Sequence, residues 1–183
     1  MMNRFFAIVL LVLLSPIFIL IAFVIIIEDG FPIFFMQKRV GVNYTFFNIY
    51  KFRSMKKNTP NVATHLLQNP SQYVLKTGKI LRKLSLDELP NLINIIKGEM
   101  VFVGPRPALY NQDDLMELRI KAGVDQLKPG ITGWAQINGR DEISLEQKVK
   151  FEKEYLLRKS FWFDLKIMVL TFTSVLKSHG VKH

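Results

Sequence analysis

The chain has 183 residues and no cysteine, and its 25 Lys and Arg against 15 Asp and Glu leave a formal net charge of +10. This length holds one domain with its own core but not two large ones, and the lack of cysteine excludes disulfides and thiolate metal sites. The charge fits an anionic partner: a nucleic acid, a membrane surface or a phosphorylated small molecule.

From Phe5 to Ile27 there are 23 residues without an ionisable side chain. As a helix they would span roughly 34 Å, enough for a hydrocarbon core of about 30 Å. Glu28-Asp29-Gly30 does not resemble a small-residue cleavage site, so a retained membrane segment is expected and not a leader peptide. Ser15-Pro16 interrupts the run: proline removes a backbone bond, and serine can re-satisfy the freed carbonyl. Two readings stay open, a kinked single span or a broken helix that enters and leaves by one face. Proline is common in ordinary spans, which favours the first. Charge favours the second, since Arg4 and the basic remainder both lie on the cytoplasmic side only if the segment re-enters.

Phe31 to Gln37 and Phe46 to Phe52 are short, aromatic and β-branched, separated by Gly41-Val42-Asn43-Tyr44, and a small β-hairpin is expected. Lys38, Arg39 and the cations from Lys51 to Lys57 would then lie near a membrane surface, most of them solvated or facing lipid. Asn58 to Ser71, with Pro60 and Pro70, reads as a loop, and His65 within it as a loop residue without a partner near it in sequence. A helical pattern starts at Lys76 and runs through Ile80, Leu81 and Leu84.

No Asp or Glu stands between Asp29 and Asp87, while ten Lys and Arg do. The adjacent pair Asp87-Glu88 is therefore one acidic spot at the end of a cationic segment, a pattern that points to anionic substrates and a metal. The same acids have a purely structural explanation. Ser85 and Glu88 have capping-box spacing; alternatively Asp87 is the N-cap, which puts Pro90 at the third helical position, where it loses no bond. Leu89, Leu92, Ile93 and Ile96 would then form an apolar stripe, with Gly98 stopping the helix.

Met100 to Val103 is a short apolar run followed by Gly104-Pro105-Arg106-Pro107, whose prolines hold Arg106 in a defined place for anion recognition. Asp113 to Lys121 reads as an amphipathic helix. In Lys128 to Arg140, Gly130, Gly133 and Gly139 would allow tight turns and exposed amides of the kind that cradle phosphates, although this is no P-loop. Trp134 could stack on a base, with core packing as the default for an indole. Glu146 to Arg158 is a charged helix with Val149 and Leu156 on its buried side. Phe161 to Leu170 has the aromatic and lysine pattern of an interfacial helix; with Asp164 and Lys166 inside it, no second span is expected.

In this order, Ser15-Pro16, Tyr50-Lys51-Phe52-Arg53-Ser54-Met55, Arg82, Leu84 to Pro90, Phe102 to Pro107, Lys128 to Gln136, Asn138-Gly139-Arg140 and Phe163 to Lys166 together resemble the monotopic phosphoglycosyl transferases, the bacterial sugar transferase family. The resemblance runs over nearly the whole chain. It implies an α+β, mostly helical fold: a re-entrant membrane helix over residues 1–29, broken at Ser-Pro, and one catalytic domain over 30–183 with a hairpin and interfacial helices. It places that domain at the cytoplasmic face of the bacterial inner membrane. It implies transfer of a phosphosugar from a UDP-sugar to undecaprenyl phosphate with release of UMP, with Asp87 as nucleophile, Glu88 as its partner and Mg2+ held by both. Lys51, Arg82, Arg106 between Pro105 and Pro107, and Arg140 become phosphate and nucleotide contacts, and Asp164 a supporting residue. One departure is visible: the family usually begins with a Lys-Arg pair and an Asp, whereas Asn3-Arg4-Phe5-Phe6 leads straight into the helix. A shortened start implies weaker surface anchoring or a start codon assigned late.

A non-enzymatic alternative is a membrane-surface module that binds anionic lipid or nucleotide through the acid-free segment, indifferent to Asp87 and Mg2+. Nucleic-acid binding ranks below both, because the basic residues flank a membrane segment and no helix-turn-helix or RNA motif is present. The choice of sugar, the glycan built downstream and the oligomeric state, a homo-oligomer included, are not written in any short motif.

Overall fold

In the computed structural model, which describes residues 2–60, 69–139 and 143–176, the apolar N-terminal run forms two helices, α1 (Met2–Leu13) and α2 (Ser15–Asp29). They are bent by 61° at the break between them. Pro16 cannot donate to Val12 O, and the Ser15 hydroxyl takes that carbonyl instead at 2.8 Å. Neither helix alone is long and apolar enough to cross a membrane, while the bent pair together is, by length and composition.

Both ends of the pair are tied to the rest of the chain by charge. At the start, the Arg4 guanidinium donates to Lys97 O at 3.3 Å. At the end, the Glu28 carboxylate accepts from the backbone N–H of Lys76 (2.5 Å) and of Thr77 (3.0 Å), and from the Thr77 hydroxyl. Asp29 pairs with Arg53, which also donates to Gly30 O and Pro32 O, each at 2.6 Å.

The expected hairpin is present: β1 (Phe34–Val40) pairs antiparallel with β2 (Phe46–Phe52), Phe34 opposite Phe52 and Val40 opposite Phe46. Val40, Ile49 and Phe52 are buried, while Phe34, Phe35, Met36 and Phe46 stay exposed, so burial follows what packs on each end of the hairpin and not a simple alternation. After α3 (Lys76–Lys83) the chain reverses through Ser85 and makes one 3-10 turn, Leu86–Glu88. Then come α4 (Asn91–Lys97) and β3 (Val101–Val103). Further on lie α5 (Asp113–Ala122), β4 (Gly130–Thr132), α6 (Trp134–Ile137), α7 (Leu145–Arg158) and α8 (Phe161–Leu176). The fold is α+β and mostly helical.

Two expectations are corrected. The acids do not cap a helix: Ser85 lies in the left-handed region (φ 55) with no side-chain cap, Asp87 is inside the 3-10 turn, and α4 begins only at Asn91 with Pro90 as its N-cap. At the N-cap, the missing proline N–H removes no helical bond. Gly98 does end α4, at φ 84. The buried apolar side chains of α4 are Leu92 and Ile95, with Asn94 buried beside them, because α1 and β2 pack on that side.

The glycine-rich stretch is also not a cradle of exposed amides. β4 runs parallel to β3 and crosses the backbone at Gly104 so closely that a Cβ on Gly130 would lie 2.2 Å from Gly104 N, and one on Gly133 2.1 Å from Gly104 O. The Gly130 amide is spent internally, donating to Pro105 O, and Gly104 N donates in turn to Thr132 O, both at 2.9 Å. Here glycine is needed for close approach of two main chains.

Three buried clusters hold the fold. One joins Val103, Leu115, Met116, Val124, Val149, Tyr155, Phe163 and Ile167. In the second, Ala7 of α1 meets Ile49, Leu92, Ile95 and Met100; in the third, Ile21 and Ile25 of α2 meet Phe52 and Leu81. Full burial of an aliphatic or aromatic side chain contributes roughly 1.5–3 kcal/mol, so the apolar helix pair is part of the structure that holds α3 and α4. On α8, Phe163 and Ile167 face inward while Phe161, Trp162, Val169 and Phe172 are exposed, as an interfacial helix requires.

Candidate active site

The 3-10 turn carrying Asp87 and Glu88 sits between α3 and α4, facing β2 and the loop after β3. Lys51, near the end of β2, reaches Glu88 Oε1 with its Nζ at 2.6 Å. Arg106, between its two prolines, brings NH1 to the same oxygen at 3.4 Å. The Glu88 side chain is only 18% exposed. Burial alone would raise its pKa, but the Lys51 and Arg106 charges and hydrogen bonds outweigh that and hold it at about 2.

Asp87 behaves oppositely. Burial and the neighbouring Glu88 charge push its pKa above the ordinary aspartate range, against the pull of Lys51 and Arg82. Among the described residues it makes no ion pair within 4.0 Å. Two adjacent carboxylates thus differ in kind: Glu88 is a fixed counter-ion, and Asp87 is uncommitted. Divergent environments for neighbouring acids are what a division of chemical roles needs.

Arg82, at the end of α3, donates from Nε to Ser54 Oγ at 2.9 Å, and its burial lowers its pKa while Asp87 raises it. Arg39 on β1 donates to Gln37 Oε1 (2.6 Å) and Pro107 O (3.1 Å). Burial and the nearby Arg106 charge pull Arg39 to about 10, with Glu88 opposing. Arg39, Lys51, Glu88, Asn91, Arg106 and Pro107 line one cleft. Four cations, Arg39, Lys51, Arg82 and Arg106, stand against the two acids, an excess that suits a doubly charged phosphate ligand.

The structure brings together Asp87, Glu88, Lys51, Arg82 and the Pro105-Arg106-Pro107 loop. Arg140 and His65 lie outside the described residues. Asp164 is on α8, its Oδ1 2.8 Å from the Tyr155 hydroxyl, which is also 3.1 Å from Val103 O. It therefore stands behind the strand leading to Arg106, one side chain away from it. Trp134 takes the core reading: it packs 5.1 Å from Phe163 and donates to Glu154 Oε2 at 3.0 Å.

Two cleft residues were not among the candidates. Arg39 was one cation in a run of surface charge, and only the bridge of its strand to Leu109 places it under Pro107. Asn91 is 4% exposed and its Oδ1 has no hydrogen-bond partner among the described residues. Its only sequence signal is its place just after Pro90.

Among the described residues no cluster of three or more metal-ligating side chains occurs. Mg2+ does not require one, since it commonly takes one or two carboxylates and completes its shell with phosphate oxygens and water. Asp87 fits that donor set; Glu88 Oε1 is already engaged by two cations.

The family model described as bacterial sugar transferase matches residues 1–178. The Bacillus subtilis sugar transferase EpsL is 43% identical over 177 residues, covering 96% of this chain and 86% of that protein. A UDP-glucose:undecaprenyl-phosphate glucose-1-phosphate transferase of Escherichia coli is 40% identical over 173 residues, 90% of this chain but 37% of that longer protein. A UDP-N-acetylgalactosamine-undecaprenyl-phosphate N-acetylgalactosaminephosphotransferase of Aeromonas hydrophila is 33% identical over 186 residues, 99% of this chain and 44% of that one.

Proposed function

The chain belongs to the bacterial sugar transferase family and is a phosphoglycosyl transferase, and we propose that it moves a sugar phosphate from a UDP-sugar to undecaprenyl phosphate through a covalent bond to Asp87. The observation that carries this reading is the split between the two acids. Glu88 is held by Lys51 and Arg106, while Asp87 has no ion pair among the described residues and lies beside an excess of cations.

The donor diphosphate enters among Arg106, Lys51, Arg82 and Arg39, whose charges offset the repulsion between an anionic nucleophile and an anionic substrate. An Asp87 carboxylate oxygen attacks the phosphorus next to the sugar. The bond from that phosphorus to the bridging oxygen breaks, its electron pair leaves with UMP, and an acyl phosphate remains. A phosphate oxygen of undecaprenyl phosphate then attacks the same phosphorus and frees the Asp87 carboxylate, giving the sugar on a lipid diphosphate. Glu88 stays ionised throughout and keeps Lys51 and Arg106 aimed. Mg2+, held by Asp87 with Glu88 beside it, would supply further charge neutralisation at the diphosphate. Arg140 is assigned to the nucleotide by the family resemblance alone, and Asp164 is a support behind β3.

The bent pair α1 and α2 is a re-entrant membrane element in this reading, since Arg4 and Glu28 tie its two ends to the same catalytic body. The enzyme then sits at the cytoplasmic face of the bacterial inner membrane and starts a surface glycan. Purified protein with Mg2+, undecaprenyl phosphate and a panel of UDP-sugars tests it: release of UMP with one donor is expected, and no UMP with any donor overturns it.

A further inference from the structure

Arg106 is held in place by more than its flanking prolines. Three successive carbonyls of its loop accept hydrogen bonds from three separate elements. Pro105 O accepts from Gly130 N of β4 at 2.9 Å, Arg106 O from Arg119 NH2 of α5 at 2.9 Å, and Pro107 O from Arg39 NH1 of β1 at 3.1 Å. The middle one is made by a side chain that is itself locked. Arg119 donates from Nε to Glu152 Oε2 of α7 at 2.8 Å and from NH2 to Glu152 Oε1, and the two side chains are 6% and 2% exposed.

A buried ion pair is a poor device for stability, because desolvation cancels most of the attraction and an apolar pair of similar volume serves as well or better. Arg119 does something an apolar side chain cannot: it spends one arm on a main-chain carbonyl of the residue that touches Glu88. The planar guanidinium with fixed fork geometry suits this, since Nε and NH2 bind the carboxylate and so set the direction of the second N–H of NH2, which meets Arg106 O. The Arg106 side chain is 41% exposed and meets Glu88 at 3.4 Å, and the three bonds to its loop fix the backbone from which that side chain projects.

We propose that Arg119, oriented by Glu152, is a positioning residue for phosphosugar transfer that acts through the backbone of Arg106. This rests on the reading of the cleft as a phosphoglycosyl transferase site. The pair touches neither substrate nor reacting atoms; its effect is to fix where the Arg106 guanidinium meets the donor diphosphate. A misplacement of about 1 Å in such a group is enough for a large loss of rate.

The test is a mutant cycle on UMP release in the presence of Mg2+ and undecaprenyl phosphate, using whichever UDP-sugar of the panel the unaltered enzyme turns over fastest. The double substitution Arg119→Met with Glu152→Met removes the ion pair without leaving a buried charge alone. It is expected to keep thermal unfolding near that of the unaltered protein and to lower kcat/KM about ten- to a hundredfold. In an Arg106→Ala background the same two substitutions should change kcat/KM by less than about twofold. If the double variant does not fold, Arg119→Lys takes its place: the ammonium keeps Glu152 paired but cannot also reach Arg106 O, so the same loss and the same silence behind Arg106→Ala are expected. Losses that multiply in the Arg106→Ala background overturn the proposal, as does full activity in the folded variants. Failure of the underlying reading looks different, because the unaltered enzyme would then release no UMP from any UDP-sugar of the panel.

Discussion

The carboxylate of Glu28 caps the first turn of α3, which begins at Lys76, accepting from the Thr77 N–H at 3.0 Å across 49 residues of chain. At the other end of the bent helix pair, Arg4 meets the last turn of α4 through Lys97 O. Helices α3 and α4 flank the turn that carries Asp87 and Glu88. The apolar pair therefore grips both shoulders of the acidic turn, with an anion at a helix N-terminus and a cation at a helix C-terminus, each the favourable sign.

Replacing Glu28 by Leu should release the first shoulder. Losing an N-terminal cap costs about 0.5–2 kcal/mol, and hydrogen exchange at Lys76 and Thr77 is expected to speed up while the amides of α7 are unchanged. UMP release should fall as well, since α3 carries Arg82, whose charge acts on Asp87. Unchanged exchange at Lys76 and Thr77 would remove the cap from the account.

Asp87→Asn and Glu88→Gln should separate cleanly. Asp87→Asn is expected to reduce UMP release about a thousandfold or more with little change in thermal unfolding, because Asp87 makes no ion pair among the described residues. Glu88→Gln leaves Lys51 and Arg106 without their shared counter-ion and should cost about 1.5–3 kcal/mol of stability besides activity. Turnover that survives in Asp87→Asn sinks the nucleophile assignment.

The pH profile should carry the mark of Asp87. Only the ionised carboxylate attacks, and burial together with Glu88 raises the Asp87 pKa, so kcat/KM should rise with pH through a limb above the ordinary aspartate value of about 3.9. Glu88, at about 2, stays charged across that range and contributes no second limb. Lys51 lowers the Asp87 pKa, so Lys51→Met should move the limb to higher pH. A limb that stays in place in that variant assigns it to another group.

For Glu88 the linkage runs in the other sense. Its pKa is depressed in the folded protein, so its stabilising contribution is present above the unfolded value of about 4.3 and is lost as pH falls toward about 2. Thermal unfolding between pH 6 and pH 3 should show that loss, and Glu88→Gln should flatten it.

Gly130→Ala should be among the most damaging single changes in the chain. Its Cβ would meet Gly104 N at 2.2 Å and Thr132 O at 2.5 Å, main-chain atoms that cannot rotate away. A cost of about 3 kcal/mol or more is expected, against about 1 kcal/mol or less for Gly41→Ala, whose nearest neighbour is the Thr45 hydroxyl at 3.0 Å. Comparable melting of the two variants would contradict the close crossing of β3 and β4.

The re-entrant arrangement predicts that positions 3 and 58 share one side of the membrane. The chain has no cysteine of its own, so Asn3→Cys and Asn58→Cys can each be labelled in sealed vesicles by an impermeant reagent. Labelling of both from the same side is expected, and opposite sides would establish a true span.

Much of this protein was legible one residue at a time. The apolar run with Ser15-Pro16, the hairpin from Phe34 to Phe52, the stop at Gly98 and the aromatic face of α8 all follow from local rules: periodicity, backbone donors and the freedom of glycine. Asp87-Glu88 and Arg106 stood out because charge and proline are visible in a linear text. Local rules also misled, for capping spacing at Ser85 describes a helix start that lies at Asn91, and the glycines after Lys128 looked like an anion cradle. What only the tertiary structure decided is which acid is bound and which is available. That depends on Lys51 and Arg106 converging on one Glu88 oxygen from 37 and 18 residues away, and on Arg39 and Asn91 arriving in the same cleft. Sequence determines which charges exist and how each segment folds; pKa and reactivity come from through-space distances and burial, which exist only once the segments are packed.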